Sequence, residues 1–451
     1  MQRLSVDEAR DRLSDALDAG ADREVARLVP LLPSHDVERL LPELDARRLG
    51  VLFRAMGDEW LASVVSELDP GIAARLLVRL TDVQAADVLE EMPPDEAADV
   101  VGELREEARE EVLAEMEREE AADIRELLEY PPETAGGRMT PEFAALRDSM
   151  TVDDALQFLR RAGKAADAVF YLYVTDDGGR LAGVTTLRDL VLSPGSRLVA
   201  EITKREVVSV QDSDDQEHAA RVLRESGFLA VPVLGPDRRM LGLITADDVA
   251  EVIEEEASED IERLGGSQPL EEPYLTASLW HLFRKRILWL LVLFAAHAYT
   301  GNVLQHYQGE VAVVVALVVF IPLLIGTGGN TGSQVVTTLV RAIAVGEVQM
   351  RDIFRVFTRE LVVGSMLALA MGIVAFVRAL TLGVGPGIAE VVALTAFCIV
   401  TWSALVASVL PLLLKRVGLD PAVASGPFIA TVVDGTGLVI YFSIAKVLLG
   451  I

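Results

Sequence analysis

Asp434 is the residue of this sequence most plainly placed to do chemistry, because it interrupts the apolar stretch ATVVDGTGLVIYF. A carboxylate at the centre of a membrane-crossing helix costs about 2.5 to 3.5 kcal/mol on the insertion scale. No Lys or Arg lies deep inside any apolar run to offset it. Three states are then open: a protonated acid, a hydrogen-bonded buried acid, or a carboxylate that holds a cation. Small neighbours, Ala430, Gly435, Thr436 and Gly437, would let a facing helix approach while leaving width for an ion that keeps its water. Mg²⁺ behaves in that way, since it dehydrates reluctantly and is usually held by one or two carboxylates.

A second polar stretch, IGTGGNTGSQ from Ile325 to Gln334, places four glycines, two threonines, Asn330, Ser333 and Gln334 inside another apolar run. Unpaired backbone survives at membrane depth only against protein or a watery cavity. Glycine-mediated helix packing is the other explanation, but the added Asn and Gln favour a pore lining. His297 has no second His or Cys at ligand spacing, so a hydrogen-bonded interface residue is expected there, and a zinc or copper site is disfavoured. The single cysteine, Cys398, excludes an intramolecular disulfide and any C-x-x-C site, and reads as a buried small hydrophobe. A potassium filter would need TVGYG, which is absent. No G-K-[ST] follows the glycines, and no Ser/His/Asp or Cys/His constellation is present, so an enzyme is not expected.

Membrane-crossing helices must carry these residues. Hydropathy predicts five spans, Ile287 to Tyr307, Val311 to Val345, Leu361 to Leu382, Val391 to Leu414 and Phe428 to Leu449, each able to cross about 30 Å of hydrocarbon. The second, at 35 residues, would exceed the bilayer at about 1.5 Å per residue unless it tilts, protrudes or breaks. Arg284, Lys285, Arg286, Arg341, Arg351, Arg355, Arg359, Lys415 and Arg416 fall on one side, whereas the opposite loops HYQGE and TLGVGPGIAE hold no Lys or Arg. Arg378 and Lys446 are mild exceptions near outer ends. The positive-inside rule then puts the N-terminus in the cytosol and the C-terminus outside an inner (plasma) membrane. The opening MQRLSVDEAR lacks the basic start and apolar core of a secretory signal.

The rest of the chain is different in kind. Of 41 Lys+Arg and 69 Asp+Glu in 451 residues, residues 281 to 451 hold 11 and 7, so residues 1 to 280 hold 30 and 62, a net −32. Such an acidic half makes nucleic acid an improbable partner and suits metal cations. Within it, seven units of 12 residues run from Pro33 to Met116, most opening on turn or capping residues and carrying apolar residues at the eighth, ninth and twelfth positions, as in Leu76, Leu77 and Leu80. That spacing is helical, and units so short can bury an apolar stripe only by stacking into a superhelix.

After the linker TAGGRMTP from Thr134, short Val-, Leu- and Phe-rich runs separated by turns (AVFYLYV, FLAVPVL) predict an α/β region. LAGVTTLRDL from Leu181 aligns with MLGLITADDV from Met240 at an offset of 59. The pattern G-h-x-T-x-x-D, met by Gly183, Thr186 and Asp189 and again by Gly242, Thr245 and Asp248, resembles the cystathionine-β-synthase (CBS) domain. Pairs of such domains commonly bind adenine nucleotides, and others serve only as dimerisation platforms. Thr186 and Thr245 could donate to a phosphate, Asp189 could accept ribose hydroxyls, and Arg188 could add a phosphate contact. Residues 246 to 264, ADDVAEVIEEEASEDIERL, read as an acidic helix on which Glu256, Glu259 and Asp260 share a face and repel unless a cation lies among them.

With the helical repeat, the CBS pair, the acidic helix and five spans in that order, and with TAGGRMTPEF, GTGGNTGSQ and VVDGTG as local matches, the whole chain resembles the MgtE family of magnesium channels. The expected fold is multidomain: an α-helical superhelix over 1–132, CBS domains over 133–200 and 201–245, a connecting helix over 246–270, and a five-helix transmembrane domain over 271–451. The resemblance implies a homodimer whose pore is lined by spans two and five, where Asp434, with Asn330 and the backbone near Ala430, holds hydrated Mg²⁺. It also implies a cytosolic magnesium sensor that holds the pore shut, at positions Asp95, Asp99, Asp215, Glu217, Asp248, Glu256, Glu259, Asp260 and Asp420, with ATP or another adenine nucleotide as a further ligand. Ser226 and Gly227, where many members carry an Asp, and Gly426, near a family Asn, depart from the pattern. An ion-coupled carrier, or a membrane-anchored sensor that transports nothing, are the competing functions; the sequence shows no second intramembrane carboxylate for coupling.

Overall fold

The computed structural model describes residues 6–33, 36–37, 40–162, 171–270, 274–275, 277–307 and 315–450. The start of the expected second span at Val311, the end of HYQGE, the front of AVFYLYV, the first five residues and part of the first 12-residue unit lie outside the described residues. The chain divides into two compact units, Met1–Glu255 and Glu256–Ile451.

In the first unit, seven helices start at intervals of 12 residues: Ala46–Met56, Asp58–Val65, Pro70–Leu77, Asp82–Glu90, Pro94–Gly102, Glu106–Glu115 and Arg118–Leu127. Side chains at the unit boundaries open the helices: Asp45 accepts from Arg48 N, Asp69 from Ile72 N, and Thr81 closes a capping box with Gln84. The eighth- and ninth-position pairs Leu76/Leu77, Val88/Leu89, Val100/Val101 and Val112/Leu113 are all buried, and each of the later helices packs on the one two units along. The repeat runs one unit past Met116, to Leu127. Arg125 at the ninth position there breaks the apolar pair, so spacing alone stops too early.

The α/β region holds two small sheets of the same topology. Strands β1 (Ala145–Arg147), β2 (Tyr171–Thr175) and β3 (Leu181–Thr186) form one, β4 (Val210–Gln211), β5 (Ala230–Leu234) and β6 (Met240–Thr245) the other. In each the first strand pairs parallel with the second and the second antiparallel with the third. The copies join through reciprocal bonds, Leu181 N to Arg238 O at 3.1 Å and Met240 N to Gly179 O at 3.1 Å. Gly179 and Arg238 stand at the same turn position, with φ of 77° and 64°. The linker is bound to the second copy, since Ala135 N donates to Asp214 O at 2.7 Å and Thr140 pairs with Leu243. The second copy also shares one continuous apolar core with the helical repeat, through Met139, Leu223, Val231 and Ile244.

Among the described residues, the second unit has five helices long and apolar enough to cross a membrane: Leu279–His306, Val315–Ala344, Met350–Thr381, Pro386–Arg416 and Gly426–Leu449. The glycine stretch of the second span corrects the sequence reading of unpaired backbone. Val315–Phe320 is a 3-10 turn, and Ile321–Ala344 is continuous α-helix, in which Thr327 and Thr331 hydroxyls donate to the carbonyls of Leu323 and Thr327. Its glycines are contact surfaces. A Cβ at Gly328 would lie 2.6 Å from Ile399 and 2.7 Å from Val433, one at Gly332 would meet Ile429 and come 2.7 Å from Ser403 Oγ, and one at Gly329 would touch Ala430 at 3.3 Å. Ser403 Oγ also donates to Gly328 O at 2.7 Å. Small residues thus bring spans two, four and five together, where hydrophobic exclusion cannot. Gly332→Ala is expected to cost about 1 to 3 kcal/mol, read as a lowered unfolding temperature in detergent. Gly326→Ala, where nothing lies within 4 Å, should leave that temperature almost unchanged.

Candidate cation sites

Span five places Asp434 at the junction with span one. Its side chain is 17% exposed, and Oδ2 lies 3.7 Å from Nε2 of His297 on Leu279–His306. The sequence reading missed this pairing because the two residues are far apart in the chain; at 3.7 Å it is not a hydrogen bond. Neighbouring small residues are used for packing: Gly435 lies against Tyr299, Gly437 against Ile325 and Ile399, and Thr436 Oγ1 accepts from Trp402 Nε1 at 3.0 Å. Ala430 is one turn before Asp434 and touches span two at Gly329. On span two, Gly326, Asn330 and Gln334 form an exposed stripe at spacings of four, opposite the packed glycines. The GTGGNTGSQ segment therefore does two things at once: its buried face packs and its exposed face is polar.

A second acidic site lies in the first unit. Asp95 and Asp99 are one turn apart on Pro94–Gly102, and Asp248, Glu251 and Glu255 line the start of the helix Ala246–Leu264. Burial, then the charge of Asp248, pushes Asp95 up to about 7. Burial likewise pushes Asp99 up to about 6, against the pull of Arg138 and with the added repulsion of Glu255, Glu251 and Asp248. Asp248 and Glu96 are also raised, first by burial. Oδ1 of Asp95 is buried without a hydrogen-bond partner. Arg138, from the linker motif, is the cation here: it contacts Asp99 at 3.5 Å, pairs with Glu255 and donates to Gln216 Oε1 at 2.9 Å. Sequence reading found Asp95, Asp99 and Asp248 but not Arg138, Glu251 or Glu255; the arginine of GGRMTP was the available signal. Arg138→Gln should destabilise this unit by about 1 to 3 kcal/mol, because it strands partly exposed carboxylates rather than fully buried ones. Thermal unfolding of the variant checks that, and added Mg²⁺ should recover part of the loss.

The remaining expected metal positions do not join that cluster. Asp215 and Glu217 stand exposed at the start of Gln216–Ser226, where Asp215 Oδ1 accepts from Glu217 N at 2.9 Å. In the second unit, Arg263 pairs with Glu259 at 2.7 Å and with Asp420. Burial opposes the arginine's charge, yet Asp420, Glu259 and Glu256 hold it more firmly protonated than usual. The expected repulsion among Glu256, Glu259 and Asp260 is thus met by an arginine of the same helix. Asp420 also caps the turn Pro421–Val423 through Ala422 N at 2.7 Å. Among the described residues, no three His, Cys, Asp or Glu side chains converge as a ready-made metal centre.

The CBS motifs close on themselves. Thr186 Oγ1 donates to Asp189 Oδ2 at 2.8 Å, and Thr245 Oγ1 to Asp248 Oδ2 at 2.6 Å. Gly183 and Gly242 pack against Lys204 O and Thr140 O, so neither opens a phosphate cradle. Asp248 faces the acidic cluster, and this second motif does not fit a nucleotide. At the first motif Asp189 stands half-buried beside the exposed Arg188, a carboxylate that could accept ribose hydroxyls and a guanidinium that could meet a phosphate.

Five helices long and apolar enough to cross a membrane, with a carboxylate set between two of them, mark a multi-pass membrane protein that also carries a helical repeat and a paired α/β module. Residues 321–444 match a family described as divalent cation transporter, residues 32–133 the MgtE intracellular N domain, and residues 135–194 and 199–255 the CBS domain. Over 326 residues, 72% of each chain, the sequence is 40% identical to the magnesium transporter MgtE of Thermus thermophilus. Over 330 residues, 72% of this chain and 71% of the other, it is 37% identical to that of Enterococcus faecalis. A crystal structure of the cytosolic domain of the Mg²⁺ channel MgtE in complex with ATP is similar at 34% identity and TM-score 0.50, covering 53% of this chain and 98% of that one. The chain belongs to the MgtE family of magnesium transporters.

Proposed function

We propose that this chain is a Mg²⁺ channel, gated shut by cytosolic Mg²⁺, that works as a homodimer in the inner (plasma) membrane with its N-terminus in the cytosol and its C-terminus outside. One observation carries the reading: Asp434, 17% exposed inside the fifth span, has no Lys or Arg partner among the described residues. A carboxylate kept at that depth is compensated by a passing cation. Mg²⁺ that retains its waters suits a single carboxylate per chain, with the exposed amide of Asn330 and the backbone at Ala430 as further water acceptors or donors.

The acidic cluster supplies the gate. Asp95, Asp99 and Asp248 carry upward-shifted titrations, which means that their charges repel in a poorly hydrated place. Mg²⁺ among them would replace repulsion with attraction and clamp the helical repeat to the first turns of the helix Ala246–Leu264, which precedes the first span in the chain. Glu256, Glu259 and Asp260 would act further along that helix, and Asp420 beside it, in competition with Arg263, with Asp215 and Glu217 as an outlying site. An adenine nucleotide would be held at the first CBS copy by Thr186, Asp189 and Arg188, with Thr245 bonded instead to Asp248. The corresponding domains are 1–132, 133–200, 201–245, 246–270 and 271–451.

Flux into proteoliposomes, measured against internal Mg²⁺ and voltage, tests the proposal. A flux that follows the electrochemical gradient and falls as internal Mg²⁺ reaches the millimolar range is the expected result. A requirement for an opposing Na⁺ or H⁺ gradient would replace the channel with a carrier. Folded protein that passes nothing at any internal Mg²⁺ would leave only a sensor.

A further inference from the structure

The spacing of His297 and Asp434 differs from what Mg²⁺ asks for. Two adjacent ligands of an octahedral Mg²⁺ at about 2.1 Å stand about 3.0 Å apart, and opposite ones about 4.2 Å. Nε2 of His297 and Oδ2 of Asp434 are 3.7 Å apart. With metal-to-ligand distances of about 2.1 Å, that separation corresponds to an angle of roughly 120° at a shared ion, within reach of tetrahedral geometry. Imidazole nitrogen is also a donor that Mg²⁺ passes over and Zn²⁺ or Co²⁺ prefers. His297 is half exposed and Asp434 less so, which leaves the pair open on one side to an arriving ion.

A third group points to the same junction. Thr300 lies one turn beyond His297 on span one, and its Oγ1 is buried with no hydrogen-bond partner. That oxygen is 3.3 Å from where a Cβ of Gly435, the residue after Asp434, would stand. A threonine in an apolar span ordinarily returns its hydroxyl to the carbonyl four residues back, as Thr327 and Thr331 do on span two. Thr300 does not, so an unclaimed oxygen accompanies the nitrogen and the carboxylate.

The geometry points to a transition-metal site on the cation path, formed by His297 Nε2 and Asp434 Oδ2 with the Thr300 hydroxyl and water completing the shell, at which Zn²⁺ or Co²⁺ binds in preference to Mg²⁺ and blocks it. The blocking effect rests on the channel reading above; the binding does not. Hydrated Mg²⁺ passes the carboxylate without shedding its waters, whereas Zn²⁺ exchanges water for imidazole and stays. His297 is thereby a specificity-determining residue, and it sets which ions inhibit rather than which ion is carried.

Two measurements on the full chain, with any affinity tag removed, test this and keep the two readings apart. The first is Co²⁺ absorption of the protein in detergent, with Mg²⁺ in excess to occupy the carboxylate sites. Wild type should show the intense visible bands of a low-coordinate, nitrogen-containing site, and His297→Gln should lose them. Thr300→Val should bind Co²⁺ roughly tenfold or more weakly. The second is Zn²⁺ inhibition of Mg²⁺ flux in proteoliposomes, where His297→Gln should raise the inhibitory concentration by roughly tenfold or more. Bands that are absent in wild type, or unchanged in both variants, overturn the site. Bands that behave as expected in a protein that carries no Mg²⁺ keep the site and remove the channel. Zn²⁺ block that is equal in wild type and His297→Gln overturns the assignment of His297 as the selective ligand.

Discussion

Asp434→Asn is expected to lower Mg²⁺ flux by one to two orders of magnitude while leaving the protein folded. A carboxylate about 4.5 Å from the centre of a hydrated divalent ion attracts it, at an effective dielectric of about 20, by on the order of 7 kcal/mol before desolvation is counted. Even a third of that corresponds to a factor of about 50. The amide keeps the shape and one acceptor oxygen, so the packing of Gly435 on Tyr299 and of Gly437 on Ile325 should survive. Unfolding temperature in detergent separates loss of conduction from loss of fold. Removing a partly buried acid also removes the cost of holding it at membrane depth, and the variant should therefore be at least as stable as wild type. A variant that conducts like wild type would refute the assignment of Asp434 to the ion path.

The second large effect concerns pH and Mg²⁺ in the first unit. Asp95 titrates near 7 and Asp99 near 6, against an ordinary 3.8. Both folded-state values are raised, so the stability contributed by the protonated carboxyls is complete below about pH 3.8 and is lost as pH rises through 6 and 7. For Asp95 alone the loss amounts to at most about 4 kcal/mol. In a fragment of residues 1–264 without Mg²⁺, the unfolding temperature should fall by about 5 to 10 °C between pH 5 and pH 7.5. Asp95→Asn should flatten most of that slope and raise the midpoint at pH 7.5. Mg²⁺ at roughly 10 mM should stabilise wild type strongly at pH 7.5, weakly at pH 5, and Asp95→Asn weakly at both, because proton and metal compete for the same oxygens. A slope unchanged by Asp95→Asn would show that the cluster does not govern this unit's stability, and with it the gate proposed above would fall.

The same cluster shows how unevenly the molecule can be read from its residue order. Asp95 and Asp99 are legible as neighbours, since a spacing of four on a helix puts them on one face. That Asp248 faces them, and that Arg138 from the linker stands among them, depends on how the linker is tied to the second CBS copy through Ala135, Gly136 and Thr140. Nothing in the local pattern of TAGGRMTP says which copy it will join. Likewise, the glycines of span two announce a close approach, but which helix approaches which glycine is settled only where Ile399, Ser403, Ile429 and Val433 meet them.

Periodicity is a property of neighbours along the chain. The 12-residue repeat, the offset of 59 between CBS copies and the five apolar spans were therefore open to reading from the sequence, each written in spacings that local helix and strand geometry imposes. The extra unit ending at Leu127 escaped because a single arginine interrupts its spacing. Pairings between distant residues follow a different rule, because they are chosen by packing among elements whose faces are all comparably apolar. His297 beside Asp434, Arg263 between Glu259 and Asp420, and Asp248 facing Asp95 are of that kind. Only the folded chain selects them, because many side chains could satisfy each charge and only tertiary packing decides which one arrives.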